Sequence, residues 1–460
     1  MLKRTVTVLM CCALIISCIG CGKKESSGGK VSIRVGGWPA DTATDAVKEK
    51  YQSRLEAMKK AYPDIEVIPD TTGVDVKTFA VKASSNQLPD LYQSHFTEIT
   101  KNVLSGYAKD LTQYMKKNGY AKNLNPALTD LVSFENKIWA IPVAANVLGL
   151  SCHVELFRQA GLLDENGVPI FPKTYDELTE TAVKIKEKTG KSGMVICTTN
   201  GQGGWYFTML ANGFGVKFIT KDGDKYKASF NSPECIAALE YIRDLKWKYN
   251  VLPENSFMDR VEQRKLIATK QAAMSFDTPP VDPYITKYGM NKDDVSFARV
   301  PAGKNGRVAL LGGQVYMMDA DVTDEQIDAI FKWIDISGEG PNVSEEAKKS
   351  LDENYAALNK DGLIVTGRNL LDIWVNDELV KTQTELRAKY TNVDDNKFAD
   401  YYGFEDVAIK LEEYPCAQQL YQVLDAGLQE IMTNKNCDIK KLVKEMNNNF
   451  QVNHLDKWEG

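Results

Sequence analysis

Residue types that drive covalent chemistry are sparse in this chain of 460 residues. It contains three histidines, His95, His153 and His454, and no two are spaced as a metal-binding pair. The H-E-x-x-H zinc motif, the G-x-S-x-G nucleophile turn and the G-x-x-x-x-G-K-[ST] phosphate loop are missing. The sequence therefore predicts no metal site and no cofactor, and it gives no support for an enzyme.

Aromatic, amide and carboxylate side chains instead stand in loops at the ends of predicted strands. Ligands of open α/β sheets bind at the carboxyl ends of the strands, so these side chains are candidates for binding without turnover. Each candidate also has a structural alternative. His95 could have a structural role, Trp205 and Tyr206 could be buried in a helix, and Asp277 could cap a turn. The candidates are Trp38, Asp41, Tyr92, His95, Asn146, Gln202, Trp205, Tyr206, Phe276, Asp277, Gly313 and Gln314.

The elements that must position these residues alternate between strand and helix. Alternating apolar residues predict a strand over 31–35 and another over 65–68, with an amphipathic helix between them. A helical stretch near 76–85 then leads to a third short strand. This order predicts an α/β fold with parallel strands. Further signals are a hairpin turn at Asp222-Gly223 and capping boxes at Thr174/Glu177 and Thr323/Gln326.

Composition predicts a globular chain of two or three domains. The formal charge is −6, and without Lys3 and Arg4 it becomes −8. Because no basic face is clustered, we expect no nucleic-acid partner. Five cysteines follow the N-terminal segment, an odd number with no close pair, so a disulfide framework is not indicated, although one incidental pair stays open.

The first residues have the pattern of an export signal. Lys3 and Arg4 precede an apolar run that is too short for a comfortable membrane span and that ends at Cys21. Cys21 before a Gly-Ser-rich stretch resembles the lipobox of bacterial lipoproteins, which implies a lipid anchor outside the cytoplasm. Cys18 is an alternative lipidation site, and a plain secretory signal is the simpler alternative. We expect a signal peptide over 1–20 and a lipidated tether over 21–30.

Several ordered segments together resemble the extracellular solute-binding proteins, family 1, of ABC importers, the group that includes the maltose-binding protein. They are Ser-Asn-Gln-Leu-Pro-Asp-Leu at 85–91, Lys-Ile-Trp-Ala-Ile-Pro at 137–142, Leu-Phe-Arg-Gln-Ala-Gly-Leu at 156–162, Pro-Lys-Thr-Tyr-Asp-Glu-Leu at 172–178, Lys-Gln-Ala-Ala-Met at 270–274 and Pro-Ala-Gly-Lys at 301–304. The resemblance covers roughly residues 30–340. Residues 343–413 depart from the shorter family members, and the resemblance does not assign them to either part of the fold.

The resemblance implies two α/β lobes joined by a hinge, with the ligand in the cleft between them. We expect lobe one to comprise residues 31–143 plus 308–338, and lobe two to comprise residues 144–307 plus 339–460. The chain would cross near 142–146, return near 305–310 and leave again near 337–341. Gly and Pro residues stand at all three places.

The function implied is capture of a carbohydrate, an oligosaccharide above all, and its delivery to the permease subunits of an ABC importer. Aromatic side chains beside amides and carboxylates suit the apolar faces and hydroxyl rims of sugars. We expect a monomer held at the membrane by its N-terminal lipid. Two alternatives stay open, an extracellular carbohydrate-active enzyme and a binding protein for another polar solute. No cluster of arginines indicates a strongly anionic ligand.

Overall fold

The computed structural model describes residues 30–458 except 44, 74, 75, 224, 280 and 370. The expected signal peptide, the lipidation candidates Cys18 and Cys21, and the tether up to residue 29 lie outside the described residues. The strands are β1 (Val31–Val35), β2 (Ile65–Pro69), β3 (Leu91–His95), β4 (Ser133–Phe134), β5 (Lys137–Ile138), β6 (Ile141–Val147), β7 (Gly149–His153), β8 (Ser192–Met194), β9 (Ile219–Asp222), β10 (Lys225–Ala228), β11 (Ala272–Asp277), β12 (Val295–Arg299), β13 (Arg307–Met318) and β14 (Val407–Lys410).

Helices connect and cover these strands. They are α1 (Asp45–Ala61), α2 (Val76–Ser84), α3 (Ile99–Leu104), α4 (Thr112–Lys117), α5 (Tyr120–Asn123), α6 (Pro126–Thr129), α7 (Val154–Gln159), α8 (Tyr175–Thr189), α9 (Gln202–Phe214), α10 (Pro233–Trp247), α11 (Arg260–Ala268), α12 (Asp282–Thr286), α13 (Asp324–Ile336), α14 (Glu345–Lys360), α15 (Asp377–Tyr390), α16 (Ala417–Thr433) and α17 (Ile439–Asn453). Short 3-10 helices include Phe96–Glu98 and Asp395–Phe398.

The first sheet has the order β14-β13-β3-β1-β2, with β6 added beside β13. β1 pairs in parallel with both β2 and β3, which confirms the parallel α/β layer predicted from the alternating strand and helix patterns. Ile33 and Val35 point into the core, as the alternation in this strand requires. The carboxyl ends of β1 and β3 consequently lie at one edge of the sheet.

The second sheet has the order β12-β7-β11-β8 and is connected to the first by two strands. Only Leu148 separates β6 of the first sheet from β7 of the second. The return passes from β12 to the 12-residue strand β13, which pairs with β14, then β6, then β3. Each sheet is thus the centre of one lobe, and β6 and β13 are the crossing strands between them.

The segment after α13, which the sequence could not place, contacts both lobes. α14 packs against α1 and α13 on the first sheet, and Trp374 Nε1 donates to the carbonyl of Glu339 at 2.9 Å. Farther along, the ring of Phe398 stacks on Phe297 of β12 with centroids 6.5 Å apart. We therefore propose to assign residues 339–390 to lobe one, in place of the sequence-based assignment to lobe two.

Local signals in the sequence gave mixed results. β9 and β10 form the hairpin predicted around Asp222-Gly223, and Thr323 and Gln326 form the reciprocal capping box. At α8 only half of the box is present. Thr174 accepts from the Glu177 amide, but the Glu177 carboxylate accepts from the amide of Lys173, one residue before the cap.

Candidate functional site

A cavity of about 270 Å³ lies between the two lobes. Crossing strand β6 lines it with residues 143–146, and the second sheet contributes Phe297 of β12 and Pro279 from the loop after β11. The remaining wall consists of Val281, Gly338, Glu339 and residues between 358 and 398. Its volume is near the lower end for small-molecule sites, and it contains one of the predicted residues, Asn146.

The crossing strands connect this cavity to an aromatic cluster on α9. Asn146 pairs with Gly312 across the β6–β13 ladder. A Cβ atom on Gly312 would lie 3.8 Å from Cζ2 of Trp205, which places the indole against the crossing strand. The neighbouring Tyr206 ring is 5.0 Å from the Trp205 ring, centroid to centroid. Trp205, Tyr206 and Asn146, predicted from separate loops, are therefore brought to one region.

Arg260, at the start of α11, covers both aromatic rings. Its guanidinium carbon is 5.0 Å from the Trp205 centroid and 5.8 Å from the Tyr206 centroid, within cation–π range. Trp205 is 8% exposed and Tyr206 is 3% exposed. Even so, Trp205 Nε1, the Tyr206 hydroxyl and Arg260 Nε are buried without a hydrogen-bond partner. Unsatisfied buried polar groups are rare in native proteins, and a missing ligand is one physical reason for a group of them.

The amino-terminal end of α9 is held by a buried carboxylate. Asp425 of α16 accepts from the amides of Gly201 and Gly204 at 2.5 and 2.7 Å. Burial raises the pKa of Asp425, while hydrogen bonds from the amides of Gly204, Gly201 and Gly203 act in the opposite direction. Gly201 has φ of +72°, a conformation that glycine adopts without strain. Gln202 accepts from the backbone amide of Arg260, so it positions this arginine.

The carboxylates of Glu412 and Glu98 come from distant parts of the chain and interact electrostatically with each other, and Glu412 also with Arg260. Burial raises the pKa of Glu412 to about 7, and the charge of Glu98 acts in the same direction, whereas Arg260 opposes it. Glu98 follows β3 of lobe one, and Glu412 lies between β14 and α16. The sequence analysis missed Arg260, Glu98 and Glu412. Only the position of Glu98 just after a strand end could have indicated it.

The predicted residues on β3 and β13 are also close together. His95 pairs with Gln314, and its Nδ1 is 3.2 Å from the carbonyl oxygen of Gly313. Gly313 has φ of +143°, and a Cβ there would lie 2.0 Å from the carbonyl oxygen of Ala144. Glycine at position 313 therefore allows the two crossing strands to approach each other closely. His95, Gln314 and Gly313 thus lie close together where β3 pairs with the crossing strand β13.

Other candidates occupy different places. Trp38 stacks on Trp333 of α13 with centroids 6.0 Å apart, and Asp41 is exposed in a surface depression beside α1. Tyr92 is fully buried and donates to the carbonyl of Tyr107 at 3.0 Å. These three side chains do not line the interlobe cavity.

The strand end at Phe276 and Asp277 is part of the core of lobe two. Phe276 is buried. Asp277 is 0% exposed, and its two oxygens accept from Arg264 at 2.7 and 2.8 Å. The Thr278 amide and the Tyr284 hydroxyl donate to the same carboxylate at 2.8 and 3.2 Å. This bonding fits the alternative of a turn cap, and the ligand contact expected from the position of Asp277 stays a prediction.

Features of other protein classes were also sought in the part of the chain that the structure describes. None of its helices is both long and apolar enough to cross a membrane. Within the same residues, no three His, Cys, Asp or Glu side chains are grouped to hold a metal ion. Cys152, Cys197, Cys235, Cys416 and Cys437 are free thiols.

Known proteins resemble this chain in sequence and in fold. The diacetylchitobiose-binding protein DasA of Streptomyces coelicolor is 24% identical over 255 residues, 52% of this chain and 55% of DasA. The match thus spans about half the length of that curated relative.

Solved structures match over more of the chain. The cyclic α-maltosyl-1,6-maltose-binding protein of Arthrobacter globiformis has a TM-score of 0.64 and 19% identity, covering 91% of this chain and 98% of its own. An ABC substrate-binding protein of Listeria monocytogenes in complex with cycloalternan has a TM-score of 0.65 and 15% identity, covering 92% and 98%. At these identities the likeness shows the fold, which is the two-lobe solute-binding fold predicted from the sequence.

The family model described as bacterial extracellular solute-binding protein matches residues 38–336, more than half of the chain. This range includes the second sheet, the two crossing strands and the aromatic cluster on α9, whereas β1 and β14 of the first sheet lie outside it. The chain therefore belongs to the bacterial extracellular solute-binding protein family.

Proposed function

We propose that this protein is the substrate-binding component of an ABC importer and that it captures an oligosaccharide between its lobes. The observation that carries the proposal is the group of buried, unpartnered polar atoms on Trp205, Tyr206 and Arg260. They lie against a crossing strand, where a ligand would contact both lobes. An indole and a phenol offer flat faces for sugar rings, and their polar atoms can meet hydroxyl groups.

The ligand site of this proposal combines residues from three sources. His95 and Gln314 come from the first sheet, Asn146 from crossing strand β6, and Trp205, Gln202 and Arg260 from lobe two. Relatives in the family support a sugar ligand, since DasA is a diacetylchitobiose-binding protein. Capture by hinge closure would bring the two sides of this site onto the ligand.

A thermal-shift screen tests the proposal. Diacetylchitobiose, maltooligosaccharides and other glycans are added at millimolar concentration, and a binder at 100 times its Kd should add about 2.7 kcal/mol of stability. Trp205→Phe keeps a ring but loses Nε1, so it should weaken binding. Trp247→Phe is the matched control, because Trp247 Nε1 already donates to the carbonyl of Ile431 at 2.8 Å, away from the cleft. Equal loss of ligand response in both variants would contradict the site.

The proposal is for binding without turnover. A glycosidase needs two carboxylates about 5–10 Å apart on either side of the bond. Asp41 is exposed beside α1 and Asp277 is bonded to Arg264, so this pair offers no such arrangement. Incubation with labelled oligosaccharides should return them unchanged, and release of shorter products would favour an enzyme.

The location follows from the family and from the N-terminal pattern. An extracellular solute-binding protein acts outside the cytoplasm, and we propose that a lipid on Cys21 holds it at the membrane beside its permease, as a monomer. Metabolic labelling with a radioactive fatty acid tests the anchor, with Cys21→Ser and Cys18→Ser compared. Retention of the label in Cys21→Ser would contradict Cys21 as the lipidated residue, and its loss in Cys18→Ser would indicate Cys18 instead.

A further inference from the structure

The interlobe cavity contains a charged side chain that the proposed sugar site does not use. Arg387 of α15 lines the cavity. Its Nη1 donates to the carbonyl oxygen of Thr366 at 3.2 Å, and its guanidinium lies over the ring of Tyr355, 4.7 Å from the centroid. Its Nε is buried without a hydrogen-bond partner. No carboxylate among the described residues forms an ion pair with Arg387.

The carboxylates near this cavity are occupied elsewhere. Glu339 also lines the cavity, but its two oxygens accept from Arg54 and from the hydroxyl of Tyr316, each at 2.9 Å. Asp372 accepts from the side chain of Asn369 at 2.7 Å. Arg387 is thus a cation at a cavity wall with no carboxylate in direct contact, as far as the structure describes the chain.

A second donor stands one helical turn before Arg387. Gln383 also lines the cavity, and the i, i+4 spacing places both residues on one face of α15. Its Oε1 accepts from Asn369 Nδ2 at 2.5 Å, which leaves its amide NH₂ as a donor. A guanidinium and an amide NH₂ side by side match the oxygens of an anion, because a guanidinium binds carboxylate or phosphate through charge-assisted hydrogen bonds.

We propose that this cavity is an anion subsite and that the ligand is an acidic saccharide, bearing a carboxylate, sulfate or phosphate group that reaches Arg387. The inference rests on the proposed sugar-binding function and adds the class of sugar. Asn146 belongs to the cavity and pairs with Gly312, which lies against Trp205, so one oligosaccharide can extend from the aromatic cluster to Arg387. The sequence indicated no anionic ligand because Arg387 is a single arginine in the segment that could not be placed.

Binding of matched pairs of sugars tests the subsite. Cellobiose is compared with cellobiouronic acid, galactobiose with digalacturonate, lactose with its 3′-sulfate, and trehalose with its 6-phosphate, each by calorimetry on the full mature protein. The expected result is that the acidic member of at least one pair binds about 10–100-fold more tightly. The pair that shows the preference identifies carboxylate, sulfate or phosphate as the group recognised.

The variant Arg387→Gln should reduce that preference to less than about threefold, with the neutral partner bound as before. Arg387→Lys keeps the charge on a different donor geometry and should retain part of the preference. Lys389→Gln is the control, because Lys389 is exposed on the same helix and pairs with Asp352 at 3.2 Å; its preference should be unchanged. If Arg387→Gln does not fold, Arg387→Lys alone decides.

Three results would overturn the subsite. Neutral and acidic partners could bind equally while sugar binding itself stands, or Arg387→Gln could leave the preference intact. Arg387→Lys could also weaken both partners by the same factor, as expected of a purely structural residue. If no member of any pair binds, the subsite fails, whereas the thermal-shift screen over glycans decides separately on the proposed sugar-binding function.

Discussion

Two arginines on α11 are one turn apart and have opposite surroundings. Arg264 makes a bidentate ion pair with the fully buried Asp277, and the remaining capacity of that carboxylate is taken by Thr278 and Tyr284. Arg260 forms no ion pair with any described residue, stacks on two aromatic rings and has a buried Nε without an acceptor. The two residues share a helix and a charge, so the difference arises from what surrounds them.

This difference separates structural polar groups from ligand-binding ones. A buried group whose hydrogen bonds are complete contributes to folding, and removal of one partner leaves the other uncompensated. A buried group without partners costs stability in the free protein, and a ligand can supply what is missing. By this criterion we classify Asp277 as structural and propose Trp205, Tyr206 and Arg260 as the binding cluster. The following substitutions test the distinction.

The largest expected effect comes from the arginine that is fully paired. Arg264→Met leaves the Asp277 carboxylate buried without its counter-ion, which should lower the free energy of unfolding by about 3–5 kcal/mol. Arg260→Met is the matched control on the same helix and should cost at most about 1 kcal/mol, because no carboxylate loses its partner. Urea unfolding measures both. Equal losses of unfolding free energy in the two variants would contradict the distinction between the paired Arg264 and the unpaired Arg260.

Glu412 tests the binding cluster through pH. Burial raises its pKa from the ordinary 4.5 to about 7 in the folded protein. The unfolded chain therefore releases this proton at a lower pH, and stability falls as pH rises from 4.5 to 7. Glu412→Gln removes the cost, so the variant should exceed wild type by at most about 3 kcal/mol at pH 8.

The pH-dependent difference between the two proteins should vanish well below pH 4.5, where the carboxyl group is protonated in both states. Unfolding free energies of both proteins at pH 4, 6 and 8 provide the measurement. A difference that stays constant across this range would mean that Glu412 titrates normally and is not part of a desolvated cluster.

The crossing strands beneath the cluster provide a comparison of adjacent glycines. Gly313→Ala would place Cβ 2.0 Å from the carbonyl oxygen of Ala144, at a φ that side chains rarely adopt, and should cost about 1–3 kcal/mol. Gly312→Ala places Cβ at an ordinary 3.8 Å from Trp205 and from the Asn146 carbonyl oxygen, so its stability should stay near wild type. Thermal unfolding of the two variants checks this, and a reversed order would contradict the close strand approach.

The sequence predicted what depends on local pattern. The strand–helix–strand order of the first residues predicted the parallel layer, and the Asp222-Gly223 turn predicted the hairpin, because period and turn chemistry act over a few residues. The candidate site was predicted only in part. Asp277 follows a strand just as a ligand contact would, and no local pattern indicates that its carboxylate accepts two hydrogen bonds from Arg264.

Residues that meet from distant positions could not be predicted in this way. Arg260 and Glu412 are about 150 residues apart, and the charge of Glu412 depends on burial that no local pattern reveals. Arg387 lines the interlobe cavity from a segment outside the family resemblance. Their place near the proposed site is a property of tertiary packing, which the positions of strand ends alone do not reveal.

The smallest expected effect on stability concerns the Tyr206 hydroxyl, for which we expect a gain and not a loss. The Tyr206 hydroxyl is buried without a hydrogen-bond partner, so Tyr206→Phe removes an unsatisfied group and should raise the free energy of unfolding of the free protein by about 1 kcal/mol. The control Tyr92→Phe removes a hydroxyl that donates to the carbonyl of Tyr107 and should lower stability by a similar amount. With a sugar from the glycan screen, Tyr206→Phe should lose part of the ligand-induced thermal shift and Tyr92→Phe should keep all of it. A loss of stability in ligand-free Tyr206→Phe would show that the Tyr206 hydroxyl already has a hydrogen-bond partner. Missing hydrogen bonds would then no longer distinguish the binding cluster from structural groups such as Asp277.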